Sequence, residues 1–131
     1  MERSSEVESF VEGMYALMRD GDGDGCAGLL DDEVTIFIGT DPDEWWDTPA
    51  SSKAAFKEQL ESTGGFAITA GGPVGYSDGD VGWAADQPTM QIGDHRVPMR
   101  MTCVVHRVGG AWRIVQGHLS VAAGINDDLF A

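Results

Sequence analysis

Polar side chains near the C-terminus have the types and spacing that suit proton transfer or ligand recognition. Gln116, His118 and Ser120 alternate along an apolar run, so a strand would place them on one face with Trp112 and Ile114. Histidine titrates near pH ~6.5 and can exchange protons at neutral pH. Polar groups on an otherwise apolar face need partners or a wet cavity. We therefore expect His118 to line a pocket; the alternative is a histidine that is merely hydrogen-bonded in the wall.

Two aspartates are candidate partners for this histidine. Asp47 follows Trp45 and Trp46 and precedes a predicted helix. It could orient His118 or abstract a substrate proton, but an aspartate at that position is equally typical of a helix N-terminus. Asp86 lies at the end of a predicted strand and could take the same role, although a charge on an edge strand facing water is the favoured interpretation.

Aromatic residues suggest what kind of molecule the pocket would hold. The flat rings of Trp45 and Trp46 suit the rim of a pocket for an apolar or aromatic ligand. The alternative is that at least one ring only plugs the mouth. Tyr15 flanks the apolar stripe of the first predicted helix and could direct its hydroxyl inward, although a tyrosine at the edge of the core is the simpler reading.

One acidic segment resembles the beginning of a calcium-binding loop. Asp20, Asp22, Asp24 and Gly25 have the required spacing, and Asp31 falls at the twelfth position. That position normally holds a bidentate glutamate, and a strand follows where a helix is required, so an acidic connecting turn is favoured. The sequence also contains no phosphate-binding glycine loop, serine elbow or CxxC pair. We predict no metal and no cofactor.

Composition limits the possible partners. The chain has 131 residues, of which 42% are hydrophobic, which is typical of one globular domain. Its net charge of −14 disfavours binding to nucleic acid or to an anionic membrane surface. The sequence has no apolar run of the ~18 residues that a membrane span needs and no secretion-signal pattern at its start, so we expect a cytoplasmic protein. The acidic surface indicates either simple solubility or adaptation to high salt.

The chain order places helices before most of the strands. A capping box at Ser5 and Glu8 predicts the first helix, which Gly21 ends. A short helix within 22–30 and a strand over 34–38 follow, and a third helix begins at Thr48-Pro49 and ends at Gly64. The remainder predicts strands over 66–69, 74–76, 81–85, 90–92, 97–108 and 111–122, with a Gly109-Gly110 hairpin turn between the last two. This order predicts an α+β fold.

The chain resembles the SnoaL-like branch of the nuclear transport factor 2-like superfamily, which includes ketosteroid isomerase. The resemblance rests on residues 38–46 (IGTDPDEWW), 97–102 (VPMRMT) and 112–120 (WRIVQGHLS), and it extends over residues 5–126. It implies a single domain over 1–131, with a cone-shaped, curved antiparallel sheet wrapped around three N-terminal helices.

The resemblance also implies a pocket between the concave sheet face and the helices, and a homodimer formed through the outer sheet face. It places Met101 and Cys103 inside the cone. The first functional hypothesis is a small-molecule binding protein with a partly apolar pocket, without a cofactor. The second is a cofactor-independent isomerase, cyclase or dehydratase that uses Asp47 and His118 as an acid/base pair. The third is a non-catalytic dimeric module, because this fold does not determine function.

Overall fold

Within the described residues, three helices pack on one face of a curved nine-stranded sheet. A computed structural model describes residues 1–124. The helices are α1 (Ser5–Asp20), α2 (Gly23–Ala27) and α3 (Pro49–Thr63). The strands are β1 (Glu2–Arg3), β2 (Ile36–Ile38), β3 (Trp45–Trp46), β4 (Ala67–Thr69), β5 (Val74–Asp78), β6 (Val81–Asp86), β7 (Thr89–Ile92), β8 (His95–Val108) and β9 (Ala111–Val121). The predicted α+β class and the predicted curved sheet are confirmed.

The main sheet has the order β1-β5-β6-β8-β9-β2-β3, and β7 joins the first half of β8 with β4 beside it. Most pairs are antiparallel, as predicted. The pairing of β2 with β9 is parallel, which the predicted all-antiparallel sheet did not include. The long β8–β9 hairpin turns at Gly109 and Gly110, which have φ values of 59° and 81°. Both values favour glycine, so the predicted turn is confirmed.

Local sequence signals explain where the helices begin and end. Thr48 caps α3 and Pro49 occupies its first turn, while Gly64 ends it in the left-handed conformation, all as predicted. The predicted Ser5–Glu8 capping box is wrong. Ser4 is the N-cap of α1 and accepts a hydrogen bond from the Val7 amide. Glu8 instead accepts from the Gly75 amide of β5 and pairs with Arg3, so it ties the helix to the sheet.

The core lies between α1 and the concave sheet face. Val7, Val11, Met14, Tyr15 and Met18 form the buried stripe of α1. The sheet side of this core is made by the inward residues of β8 and β9, which are Met101, Cys103, Val105, Trp112 and Ile114. Met101 and Cys103 therefore lie on the inner face, as expected. Within residues 1–124, no helix has the length and apolar character that a membrane span requires.

Candidate functional site

A partly open cavity lies between α3 and the end of the sheet formed by β2, β8 and β9. Its volume is about 180 Å³. Most of the lining side chains are aromatic rings or thioethers, and three are polar: Thr40, Glu44 and Gln59. The full lining is Met18, Phe37, Gly39, Thr40, Glu44, Trp46, Phe56, Gln59, Phe66, Met90, Met99 and Leu119. A concave, mainly apolar surface with a few convergent polar groups is the usual composition of a small-molecule site.

Phe37 owes its position in the cavity wall to a glycine on the neighbouring strand. Phe37 of β2 stands beside Gly117 of β9, and a Cβ atom at position 117 would lie 2.3 Å from the Phe37 ring. The absence of that atom lets the ring cross β9 and meet Phe56 of α3 edge to face, with ring centroids 4.6 Å apart. Gly117 therefore shapes the cavity wall through Phe37, although it is not itself a lining residue.

The two adjacent tryptophans lie on opposite sides of the sheet. Trp46 pairs with Phe37 and lines the cavity, whereas Trp45 pairs with Ile38 and is 59% exposed on the outer side. The buried Ser52 hydroxyl of α3 donates to the Trp46 carbonyl over 3.1 Å, which fixes β3 against the helix. The structure therefore brings only one of the two predicted rim residues to the cavity.

Among the cavity-lining residues of the described part of the chain, 1–124, Glu44 is the only charged side chain, and the sequence reasoning missed it. The Asp41 amide donates to its Oε1 over 2.9 Å, and Gln59 Nε2 donates to its Oε2 over 3.3 Å. Gly39 leaves room for the carboxylate, because a Cβ there would lie 2.8 Å from Glu44 Cδ. The signal in the sequence that could have identified Glu44 is its place directly before two tryptophans and five residues after Gly39, which follows a strand.

A β-bulge in β9 reverses the predicted orientation of its polar residues. Val105 is opposite Ile114 and Val104 is opposite Gln116, so Val115 is an extra residue in the ladder. Trp112 and Ile114 face the core. After the bulge, however, the inward positions are Gly117 and Leu119.

The prediction that Gln116, His118 and Ser120 share the inner face is therefore wrong. They stand opposite Val104, Thr102 and Arg100 on the outer face of the sheet, because one added residue shifts the alternation by one.

Asp47 does not meet His118. It is exposed immediately before the Thr48 N-cap, and no hydrogen bond within residues 1–124 joins it to His118. Since His118 lies on the outer face, the two residues share no cavity. A catalytic role for either residue remains a prediction.

Asp86 forms a buried polar cluster with Tyr15, contrary to the expectation of a water-facing charge. Asp86 is only 7% exposed, because β6 is paired on both sides and position 86 lies opposite the buried Met101. The Tyr15 hydroxyl donates to Asp86 Oδ2 over 3.0 Å. The amides of Gly71 and Gly72 donate over 3.2 and 2.9 Å. Burial, followed by the charge of Asp86, raises the pKa of Tyr15 above its ordinary value.

A wider groove of about 660 Å³ runs along the outer sheet face beside Asp86 and is lined partly by Trp83, Arg100 and Thr102.

Inside the protein, burial raises the pKa of Cys26 to about 11 and that of Cys103 to about 12. Both thiols are therefore protonated at neutral pH and unsuited to nucleophilic attack. They pack in the core as small apolar groups.

The acidic segment from Asp20 to Asp31 has local structural roles. Asp22 caps α2 by accepting from the Gly25 amide, and Asp24 pairs with Lys57 of α3 at 3.3 Å. Asp31 accepts from the amides of Glu33 and Val34, which lowers its pKa. In residues 1–124 these carboxylates do not converge into a group that could hold a metal ion.

The chain matches a family model by sequence and several solved structures by fold. Residues 7–124 match the family model of the SnoaL-like domain. An NTF2-like protein of unknown function from Pseudomonas putida is 20% identical with a TM-score of 0.80, covering 94% of this chain and 89% of that protein. No curated protein sequence matches the chain.

Two further structures share the fold at low identity. A proposed dehydratase of the NTF2-like family from Streptomyces avermitilis is 14% identical with a TM-score of 0.76, covering 90% of this chain and 94% of that protein. A proposed ketosteroid isomerase from Parabacteroides distasonis is 15% identical with a TM-score of 0.73, covering 92% and 88%. From the family match over residues 7–124, the chain belongs to the SnoaL-like domain family.

Proposed function

We propose that the protein binds a small aromatic or apolar molecule in the cavity lined by Trp46. The observation that carries this proposal is the composition of the wall, in which four aromatic rings and three methionines surround one carboxylate. Aromatic and thioether side chains give large, adaptable contact surfaces to apolar ligands.

The size of the cavity limits the ligand. A volume of about 180 Å³ lies below the range of roughly 300–1,000 Å³ for sites that hold drug-sized molecules. Apolar cavities of about 150 Å³ can hold one benzene ring. We therefore expect a ligand with a single ring or a short branched chain.

The paired tryptophans provide the test. We expect Trp46→Ala to weaken the binding of benzyl alcohol by at least about tenfold, because the variant removes one wall of the cavity. Trp45→Ala is the matched control and should leave the affinity within about twofold of the wild type. Isothermal titration calorimetry measures both. Equal losses in the two variants, or no binding to the wild type by any single-ring compound, would contradict the proposal.

The isomerase, cyclase or dehydratase alternative with an Asp47–His118 pair has no geometric support, since His118 is on the outer face and Asp47 is exposed.

The observation that bears on the third hypothesis, a dimeric module, is the charge of the outer sheet face. Strands β8, β9 and β2 contain no aspartate or glutamate, although the chain has a net charge of −14. The excess carboxylates therefore lie elsewhere on the molecule.

We propose that two copies of the chain associate through this outer face, with the binding function retained inside each copy. Two strongly acidic molecules repel least where they present no carboxylates. Beside these three strands, β6 and β5 expose aromatic surface, since Trp83 is 38% exposed and stacks on Tyr76 at 5.1 Å. Exposed aromatic surface of this kind is typical of interfaces.

A charge placed in the centre of the outer face should prevent this association. We expect the wild type to sediment as a dimer and Thr102→Glu to sediment as a monomer, because each copy would then have to bury a new carboxylate in the interface. Thr69→Glu, on the exposed side of β4, is the control and should remain dimeric. Analytical ultracentrifugation distinguishes the species. A monomeric wild type, or a dimeric Thr102→Glu variant, would contradict the proposed interface.

A further inference from the structure

The partly open cavity combines a single carboxylate with aromatic walls. Within residues 1–124, Glu44 is its only charged lining residue, and four aromatic rings surround the same volume, those of Phe37, Trp46, Phe56 and Phe66. The face of an aromatic ring carries negative charge density and attracts cations, which is how many proteins bind ammonium groups. The carboxylate and the aromatic faces therefore both favour a positively charged ligand.

Glu44 retains the capacity to bind such a ligand. A carboxylate can accept about four hydrogen bonds. The structure gives Glu44 two donors, the Asp41 amide at 2.9 Å and the Gln59 side-chain amide at 3.3 Å. No ion pair within residues 1–124 includes Glu44. Its negative charge therefore lacks a counter-ion in this part of the chain, and a cationic ligand would supply one.

The two existing donors hold the carboxylate in a fixed orientation. The Asp41 amide belongs to the same loop, and Gln59 lies on α3 across the cavity from β2, so Glu44 is held from both sides. The glutamate backbone is also fixed, since its carbonyl accepts from the Gly39 amide over 2.8 Å. A carboxylate held in this way loses little conformational freedom when it binds a ligand, which favours affinity.

We propose that the cavity selects a small organic cation, with an ammonium group paired to Glu44 and an apolar or aromatic body against the rings. This inference rests on the proposed binding function and adds the charge of the ligand to it. The net charge of −14 acts in the same direction at long range, because an acidic protein attracts cations and repels anions.

Three ligands of nearly equal size test the charge preference: benzylammonium, benzyl alcohol and benzoate. We expect the wild type to bind benzylammonium at least about tenfold more tightly than benzyl alcohol at neutral pH, and benzoate more weakly than either, because charge-assisted hydrogen bonds and cation–π contacts are available only to the ammonium. Isothermal titration calorimetry at low salt gives the three dissociation constants.

A conservative pair of variants assigns the preference to one carboxylate. Glu44→Gln retains the side-chain shape but removes the charge, so it should weaken benzylammonium binding by about tenfold and by much more than it weakens benzyl alcohol binding. Glu58→Gln is the control, since Glu58 is exposed on α3 beside Gln59 and carries the same charge. It should bind all three ligands as the wild type does.

The outcomes separate the inference from the proposed function. If benzyl alcohol binds in a Trp46-dependent manner but benzylammonium is not preferred, the cation inference is overturned and the binding function stands. The same holds if Glu44→Gln and Glu58→Gln lose equal affinity for benzylammonium. If none of the three ligands binds to the wild type, both the inference and the proposed function fail together.

Discussion

Asp86→Ala is expected to lower the free energy of unfolding by about 3 kcal/mol, one of the two largest effects that the structure predicts. The Tyr15 hydroxyl is fully buried and donates to Asp86, so the variant leaves it without a partner. A stranded buried hydroxyl costs about 1–3 kcal/mol, and hydrogen bonds to a charged group contribute more than neutral ones. The amides of Gly71 and Gly72 lose the same acceptor. Urea unfolding followed by circular dichroism measures the change.

A double-mutant cycle with Tyr15→Phe provides the control for this prediction. Once Asp86 is absent, removing the hydroxyl should cost little or even restore stability, so the two changes should not be additive. Losses that add within about 0.5 kcal/mol would show that the hydrogen bond between Tyr15 and Asp86 contributes little.

The pKa of Tyr15, raised first by burial and then by the charge of Asp86, predicts a pH dependence of the stability. The folded protein keeps this phenol protonated, whereas the unfolded chain ionises at the ordinary value near ~10. The stabilising contribution is therefore complete below that value and is lost as the pH rises above it. Tyr15→Phe should lack this part of the alkaline loss.

Gly117→Ala is the second change for which we expect a large effect. The added Cβ would lie 2.3 Å from the Phe37 ring, which Phe56 holds on the other side. The ring must move toward the cavity, and overpacking of this kind costs about 1–3 kcal/mol. We expect a loss of about 2 kcal/mol in the free energy of unfolding, together with weaker binding of single-ring ligands. Urea unfolding and calorimetry measure the two effects.

Two further variants separate steric pressure from a general effect of the substitution. Gly13→Ala lies on α1 with open space around its Cβ position and should stabilise the protein slightly, because alanine is the better helix former. Gly117→Ala combined with Phe37→Leu should recover part of the lost stability, since the smaller side chain leaves room for the new methyl group. If Gly117→Ala alone is as stable as the wild type, the Phe37 ring does not depend on Gly117.

The sequence predicted the elements of the fold well because their signals are local. Thr48, Pro49 and Gly64 determine the beginning and end of α3 through their own backbone preferences, and Gly109 and Gly110 determine the hairpin turn in the same way. None of these signals depends on a residue far along the chain.

The site was harder to predict because its geometry depends on distant pairing. His118 was expected inside on the basis of strict alternation, and one unpaired residue at Val115 moved it to the outer face. Asp86 was expected in water because the sequence does not reveal that Tyr15, 71 residues away, supplies its donor. Glu44 was overlooked because its importance depends on α3 and β2 enclosing the same volume.

The bulge at Val115 changes which side of the sheet each later residue of β9 faces. Every residue from Gln116 onward is displayed in the opposite phase from the residues before it. Deleting Val115 would remove the bulge but keep the present facing of every later residue, because Gln116 would still stand opposite Val104 and Leu119 opposite Met101. The second half of β9 can therefore lose the extra residue and still keep Leu119 in the cavity wall and His118 on the outer face.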